Sequence, residues 1–120
     1  MEQSTNIVDQ IINLTGVIDE AFIQMQKQIE VERFDDTILL LENAMKGIES
    51  LQKAVLPIAA QVPENEFNET TRNLMAEVGS FLEHYNQKET SEMEMQMNQA
   101  VIPAFNSWKT EVEKVMGGIS

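Results

Sequence analysis

Apolar residues recur at intervals of three and four along nearly the whole chain, and sustained alternation of apolar and polar residues is nearly absent. Intervals of three and four place apolar side chains on one face of an α-helix, whereas alternation places them on one face of a strand. The pattern therefore predicts an all-α fold. A single core is feasible, because 42% of the 120 residues are hydrophobic, a fraction close to the globular average. We expect one helical-bundle domain over residues 1–120.

The apolar repeat divides into four stripes, separated by short polar segments that predict helix boundaries. Residues able to cap or start a helix precede the stripes, and the predicted starts are Ser4, Thr5 or Asn6, then Asp35 (with Phe34 and Leu39 as a hydrophobic staple), Pro63, and a capping box over Ser91–Glu94. The stripes are Ile7, Ile11, Leu14, Ile18, Ala21/Phe22, Met25 and Ile29; Leu41, Ala44/Met45, Ile48, Leu51 and Val55, then Ala59 and Val62 if the helix continues past Pro57; Phe67, Leu74/Met75, Val78, Phe81/Leu82 and Tyr85; and Met93, Met97, Ala100/Val101, Ala104, Trp108, Val112 and Val115. Gly117 and Gly118 are predicted to end the last helix.

Four such helices joined by short turns predict an antiparallel up-down-up-down four-helix bundle. The second and fourth helices share a short echo, Ala54-Val55-Leu56-Pro57 and Ala100-Val101-Ile102-Pro103. Because an interior proline removes a helical hydrogen bond, we expect these helices to be kinked at Pro57 and Pro103. The echo is explained either by duplication of one helical hairpin or by chance.

Three glycines, Gly16, Gly47 and Gly79, fall inside the predicted helices. Each costs about 1 kcal/mol relative to alanine in a helix interior. Two explanations are open: the cost is simply tolerated, or a neighbouring helix approaches so closely that a Cβ would block it.

Charge excludes several kinds of partner. The chain has 20 acidic and 8 basic residues, a net charge of −12, and both halves carry the same excess of acids. Nucleic acids and anionic membranes require a cationic face, so we expect neither as a partner. The absence of cysteine fits a cytoplasmic protein, the first residues do not resemble a signal peptide, and the longest apolar run, residues 54–60, is too short to span a bilayer.

Residue patterns that support chemistry are sparse. The only histidine, His84, lies on the flank of its stripe, where we expect a surface residue, and no Glu-x-x-His pair or nucleophile elbow is present. Met93, Met95 and Met97 would suit Cu(I) only if the helix unwound, because Met95 points away from the other two. We therefore expect no catalytic, cofactor or metal site, and a protein that is not an enzyme.

Two segments carry a family resemblance: residues 32–42 at the first helical corner (ERFDDTILLLE), and, in the later helices, Leu56-Pro57 or Ile102-Pro103-Ala104-Phe105-Asn106-Ser107-Trp108. Together they resemble small acidic all-helical proteins of Firmicutes that have no characterised activity. The corner motif also resembles tetratricopeptide-like hairpins and flagellar export chaperones. The resemblance implies a helical fold and a bacterial, cytoplasmic setting, and it transfers no catalytic residue.

Apolar residues that miss the stripes are the main indication of function. Ile12 and Ile23 lie about 120–140° around the first helix from its stripe. Leu39 points away from the core face of the second helix, and Met95 and Ile102, seven residues apart, are predicted to share an outer face of the fourth. If these five formed one patch, they would mark a surface for self-association or for a partner. Phe105 and Trp108 are either core residues or interface anchors.

The preferred interpretation is a cytoplasmic interaction module that binds itself, as a homodimer, or a partner helix through apolar anchors. A flagellar or secretion export chaperone, which would hold the amphipathic segment of a client, is a more specific alternative. A small-molecule carrier or an enzyme is a third alternative. It would need polar residues on the core stripes, and only Thr71 and Tyr85 are present there.

Overall fold

The computed structural model describes the backbone of residues 2–118 and the side chains of residues 7–118. Helix α1 spans Glu2–Glu30, α2 spans Phe34–Ala59 and α3 spans Phe67–Asn86. A fourth helix, residues 90–117, consists of α4 (Thr90–Gln96), a π-helical segment (Met97–Val101) and α5 (Ile102–Gly117). The described residues include no strand, so the predicted all-α class is confirmed.

The helices form two hairpins. α1 packs along α2, and α3 packs along the fourth helix, while α1 also meets α5 and α2 meets α3. Short corners make consecutive helices antiparallel, and the molecule is elongated, measuring 49 × 24 × 17 Å. The two hairpins therefore share one core between them.

The core consists largely of the predicted stripes. Ile7 is an exception, because the residue is 48% exposed. Several stripe residues are only partly buried: Leu14, Ala21, Met45, Val62, Met75, Leu82, Tyr85, Ala100 and Ala104. The remaining stripe residues are buried: Ile11, Ile18, Phe22, Met25, Ile29, Leu41, Ala44, Ile48, Leu51, Val55, Ala59, Phe67, Leu74, Val78, Phe81, Met93, Met97, Val101, Trp108, Val112 and Val115.

Aromatic contacts join the two hairpins. Phe22 of α1 and Phe105 of α5 have ring centroids 4.6 Å apart, and Phe105 lies 5.9 Å from Trp108. The Trp108 indole donates a 2.9 Å hydrogen bond to the Thr71 hydroxyl, so its only polar group is satisfied. Phe105 and Trp108 are both 0% exposed. They are therefore core residues, and their inclusion among the interface candidates was wrong.

The two hairpin corners are built in the same way. Glu32 has a φ of 61° and Lys88 a φ of 59°, and each follows a helix whose final carbonyls are bonded in a Schellman pattern. The Arg33 amide donates to the Gln28 carbonyl (2.8 Å), and the Glu89 amide donates to the His84 carbonyl (2.9 Å). The next helix begins at the following residue in both cases.

This corner geometry displaces the predicted helix starts. The N-cap positions are Arg33 and Glu89, neither of which caps through its side chain, so the predicted caps at Asp35 and at Ser91 are wrong. The physical reason is that the Schellman turn ends one residue before the next helix starts and leaves no room for a separate capping loop. α1 likewise already includes Ser4, Thr5 and Asn6, the predicted alternative caps.

The connection between the hairpins also differs from the prediction, since α3 begins at Phe67 and not at Pro63. Glu64 has a φ of 59°, which turns the chain out of a helical path. The Asn65 side-chain Nδ2 donates to the carbonyls of Ala59 (2.9 Å) and Val62 (2.6 Å), while its Oδ1 accepts from the Phe67 backbone amide (3.1 Å). The Asn65 side chain thus binds carbonyl groups at the end of α2 and just after it, and the first amide of α3.

The π-helical segment is explained by the spacing of the core residues. Met93, Met97, Val101 and Phe105 are all buried and follow one another at intervals of four, which is longer than the 3.6-residue turn of an α-helix. The Ile102 amide bonds to the Met97 carbonyl five residues back, and this wider turn keeps the four side chains on the core face. Pro103, which has no N–H, follows directly.

The two prolines occupy different places in their helices. Pro57 lies two residues before the end of α2, whereas Pro103 lies near the middle of the fourth helix. The echo therefore does not mark equivalent points of two hairpins, contrary to what duplication predicts.

The structure separates the two explanations for the helical glycines. A Cβ on Gly47 would lie 3.1 Å from Ile18 Cδ1, so α1 and α2 approach closely there. A Cβ on Gly16 or Gly79 would meet no atom within 4 Å. Only Gly47 is explained by helix packing.

Candidate protein interface

Titratable side chains are dispersed over the described surface, and no group of three metal-ligating side chains occurs among the described residues. His84 lies on the flank of its helix with 30% of its side chain exposed, and its Nδ1 lies 2.8 Å from Glu89 Oε1 across the corner that joins α3 to α4. This contact links the last turn of α3 to the residue that precedes α4.

A second polar contact joins the start of α2 to the end of α3. The Tyr85 hydroxyl donates to Asp35 Oδ1 at 2.5 Å. This hydrogen bond raises the pKa of Tyr85 above 10.0, with smaller contributions from desolvation and from the negative charges of Asp35 and Glu42. The neutral phenol is thereby favoured. Only the neutral form can donate the hydrogen bond to Asp35 that joins the two hairpins.

Ile12 and Ile23 lie exposed along the edge of α1 that borders the fourth helix; 38% and 47% of their side chains are exposed. Two contacts define this edge, between Asp19 and Lys109 (3.3 Å) and between Gln26 and Asn98 (3.1 Å). Ile23 follows Asp19 by four residues and precedes Gln26 by three, so it lies between these contacts on the same side of the helix.

Ile102 lies on the facing edge of the fourth helix, four residues after Asn98 and seven before Lys109. It is partly buried and packs against the core, whereas 53% of Met95 is exposed. The prediction that these two share an outer face is wrong, because the π-helical segment lies between them. One extra residue in a turn rotates everything after it by roughly 100°.

Leu39 is the most exposed of the five off-stripe residues, at 62%. It lies on the side of α2 opposite the buried residues Thr37 and Leu41, far around that helix from its core face. The five residues therefore do not form one patch. Ile12, Ile23 and Ile102 are the three that the fold brings to the edge between α1 and the fourth helix.

Other exposed residues extend this edge into a continuous face of α1. Together they cover about 80° of the helix circumference, and none is buried. We call this face the α1 strip; its members are Asp9, Ile12, Gly16, Glu20, Ile23 and Lys27. The isoleucines stand out in the sequence as apolar residues outside the stripe, whereas their polar neighbours do not. The spacing of three and four residues between the strip members was the signal that could have revealed them.

A groove of about 490 Å³ lies between α3 and the fourth helix, and it too was missed. Its walls are made mostly of small and neutral polar side chains, which leave the space open: Thr70, Asn73, Ala76, Glu77, Gln99, Ala100, Pro103, Ala104 and Ser107. The small residues at 76, 100 and 104 were the available signal.

No helix among the described residues is both long and apolar enough to cross a membrane. A family model described as a domain of unknown function (DUF8042) matches residues 6–111. No curated protein and no solved structure matches the chain.

Proposed function

The chain belongs to the DUF8042 family of domains of unknown function, and from that premise we propose that it is a non-enzymatic interaction module that binds a helix, its own or a partner's, through the α1 strip. The predicted cytoplasmic setting is part of this proposal.

The observation that carries the proposal is that Ile12 and Ile23, both exposed, lie on one side of α1, away from its buried stripe. Ile7 and Val17 are also exposed, but they lie on other sides of the helix. Ile12 and Ile23 are eleven residues apart, which returns to almost the same side of a helix after three turns. Gly16 lies between them, and its missing side chain leaves room for a second helix to approach. Two apolar anchors with a small residue between them suit helix-to-helix recognition.

The energy available from this surface is modest. Full burial of an isoleucine side chain contributes about 1.5–3 kcal/mol, and both residues are already more than half covered. We therefore expect reversible binding. The net charge of −12 favours a partner that is locally basic where it meets Asp9.

The groove between α3 and the fourth helix supports a second candidate, the export-chaperone-like function. Ala76, Ala100 and Ala104 line it with small side chains, so the ridge of a client helix has room to lie between the two helices. A client bound there would not involve the α1 strip, and this difference separates the two candidates.

One comparison tests both candidates. The wild-type protein and three variants would be used as bait in a lysate of the source organism, followed by crosslinking and identification of what is bound, including a second copy. Ile12→Glu/Ile23→Glu disrupts the α1 strip, Ser107→Glu places a charge in the groove, and Leu39→Glu is an exposed control on another face.

We expect Ile12→Glu/Ile23→Glu to capture at least tenfold less protein than the wild type, because two carboxylates would have to be desolvated at the contact. The Leu39 variant should bind as the wild type does. Loss with Ser107→Glu alone would favour the groove, and equal binding by all four proteins would contradict both candidates.

A further inference from the structure

The α1 strip has nearly the same pattern in both directions around Ile18. Asp9 lies nine residues before Ile18 and Lys27 nine after it, with opposite charges. Ile12 lies six residues before and Ile23 five after, and both are apolar. Gly16 lies two residues before Ile18 and Glu20 two residues after it. This pairs a residue that has no side chain with a residue whose side chain is long.

This symmetry has a direct consequence for a second copy of the chain. Extending the proposed function, we propose that the occupant of the α1 strip is the α1 strip of another copy, antiparallel, with a two-fold axis that passes near Ile18. Asp9 then faces Lys27 of the second copy, and Ile12 packs beside the second copy's Ile23. Gly16 makes room for the second copy's Glu20. Each contact occurs twice, as in any closed two-fold interface.

The charges distinguish this arrangement from its alternatives. Within the part of the chain that the structure describes, neither Asp9 nor Lys27 forms an ion pair. They cannot pair with each other in one chain, because eighteen residues of helix separate them by about 27 Å. A parallel pairing would place Asp9 against Asp9 and Lys27 against Lys27. Only the antiparallel pairing brings opposite charges together.

The dimer is expected to be weak. A contact between single helices lies at the low end of the interface size range, and each copy carries a charge of −12, which opposes association at long range. Self-association should therefore be followed in a concentration series, by sedimentation velocity at constant ionic strength.

Charge exchange is the first test. Lys27→Glu and, separately, Asp9→Lys should raise the dissociation constant of the dimer roughly two- to thirtyfold, the range that two exposed ion pairs span. The double variant Asp9→Lys/Lys27→Glu should restore association close to that of the wild type, because the two pairs re-form with their charges exchanged. A double variant that associates no more tightly than the single variants would overturn the antiparallel pairing.

Disulfide trapping is the second test. The chain has no cysteine, so no native thiol can form a competing disulfide. Ile12→Cys/Ile23→Cys should give a covalent dimer on mild oxidation. Either substitution alone should not, because the two copies of position 12 would lie about 18 Å apart along the helix axis. Ready crosslinking of both single variants would indicate parallel pairing and overturn the inference. Circular dichroism confirms that each variant is folded.

The failure of this inference can be told apart from failure of the proposed function. A wild-type protein that stays monomeric at high concentration, with no trapping of the double cysteine variant, overturns the self-pairing. If Ile12→Glu/Ile23→Glu nevertheless abolishes binding of a different protein, the interaction module stands with another occupant. If neither self-association nor that loss is observed, both are wrong.

Discussion

At the scale of single residues, the buried threonines and Trp108 all form hydrogen bonds, whereas Gln28 Oε1 is buried without a partner among the described residues. Trp108 is fully buried, and its indole N–H bonds to Thr71, whose own hydroxyl donates to the Phe67 carbonyl at 2.8 Å. An unpaired indole at this depth would cost about 1–3 kcal/mol. The same aromatic side chain that suggested an interface anchor is therefore held inside by a hydrogen bond to α3.

Tyr85 allows a prediction about pH. Because its folded-state pKa is raised above 10.0, its contribution to stability is present below pH 10 and is lost as the pH rises through the raised value. The chain has one tyrosine, so the ultraviolet absorbance of tyrosinate reports this group alone. We expect a titration midpoint above 10.0 in the wild type and a lower midpoint in Asp35→Asn, which removes the adjacent negative charge.

Asp36→Asn is the matched control for that titration. Asp36 contacts Arg33 at 2.6 Å and has no bond to Tyr85, so its substitution should leave the midpoint closer to the wild-type value. Equal shifts in the two variants would show that the general negative charge, and not the Tyr85–Asp35 contact, sets the pKa.

At the scale of helices, the fourth helix shows how core spacing overrides an ideal period. Three successive intervals of four, from Met93 to Phe105, would rotate buried side chains progressively off the core face of a regular α-helix. The wider turn at Met97–Val101 removes that drift. This turn lies directly before Pro103, which has no N–H and therefore already lacks one helical hydrogen bond.

The helical glycines give a prediction at this scale. Gly79→Ala should raise the free energy of unfolding by about 1 kcal/mol, because it improves helix propensity and its Cβ meets nothing within 4 Å. Gly47→Ala should gain less or lose stability, because its Cβ would lie 3.1 Å from Ile18 Cδ1. Urea unfolding measures both, through midpoints compared at an unchanged slope. A similar gain in the two variants would show that α1 and α2 can separate there at little cost.

At the scale of the whole molecule, the two hairpins depend on one shared core. Phe105 contacts Phe22 across the hairpins and Trp108 within its own helix. Phe105→Ala should therefore lower the free energy of unfolding by about 3–5 kcal/mol. Trp108 fluorescence and far-ultraviolet circular dichroism should change in one coincident transition in the wild type, as for a single cooperative domain.

Leu39→Ala is the control for Phe105→Ala, since a substitution at an exposed position usually changes stability by no more than about 0.5 kcal/mol. Comparable losses in the two variants would contradict the assignment of Phe105 to the core. Separate transitions for the fluorescence and dichroism signals would instead indicate two hairpins that unfold independently.

The residues alone determined the helical class and nearly all of the core, because a stripe such as Ile11, Ile18 and Phe22 depends only on local periodicity and on the exclusion of apolar surface from water. The helix starts were predicted less well from the sequence. At the Schellman corners the residues with positive φ are Glu32 and Lys88, not glycine, so no glycine marks the end of the helix. These corners depend on how two helices pack across them.

The arrangement of the candidate surface was decided only by the tertiary structure. Ile12 and Ile23 share a side of α1 by periodicity alone. Their placement beside Ile102, and their separation from Leu39 and Met95, depend on which helices are neighbours and on one inserted residue in a π-helical turn. Local sequence carries the direction of a side chain around its own helix. The neighbour it faces is set by long-range packing, which a periodic pattern does not encode.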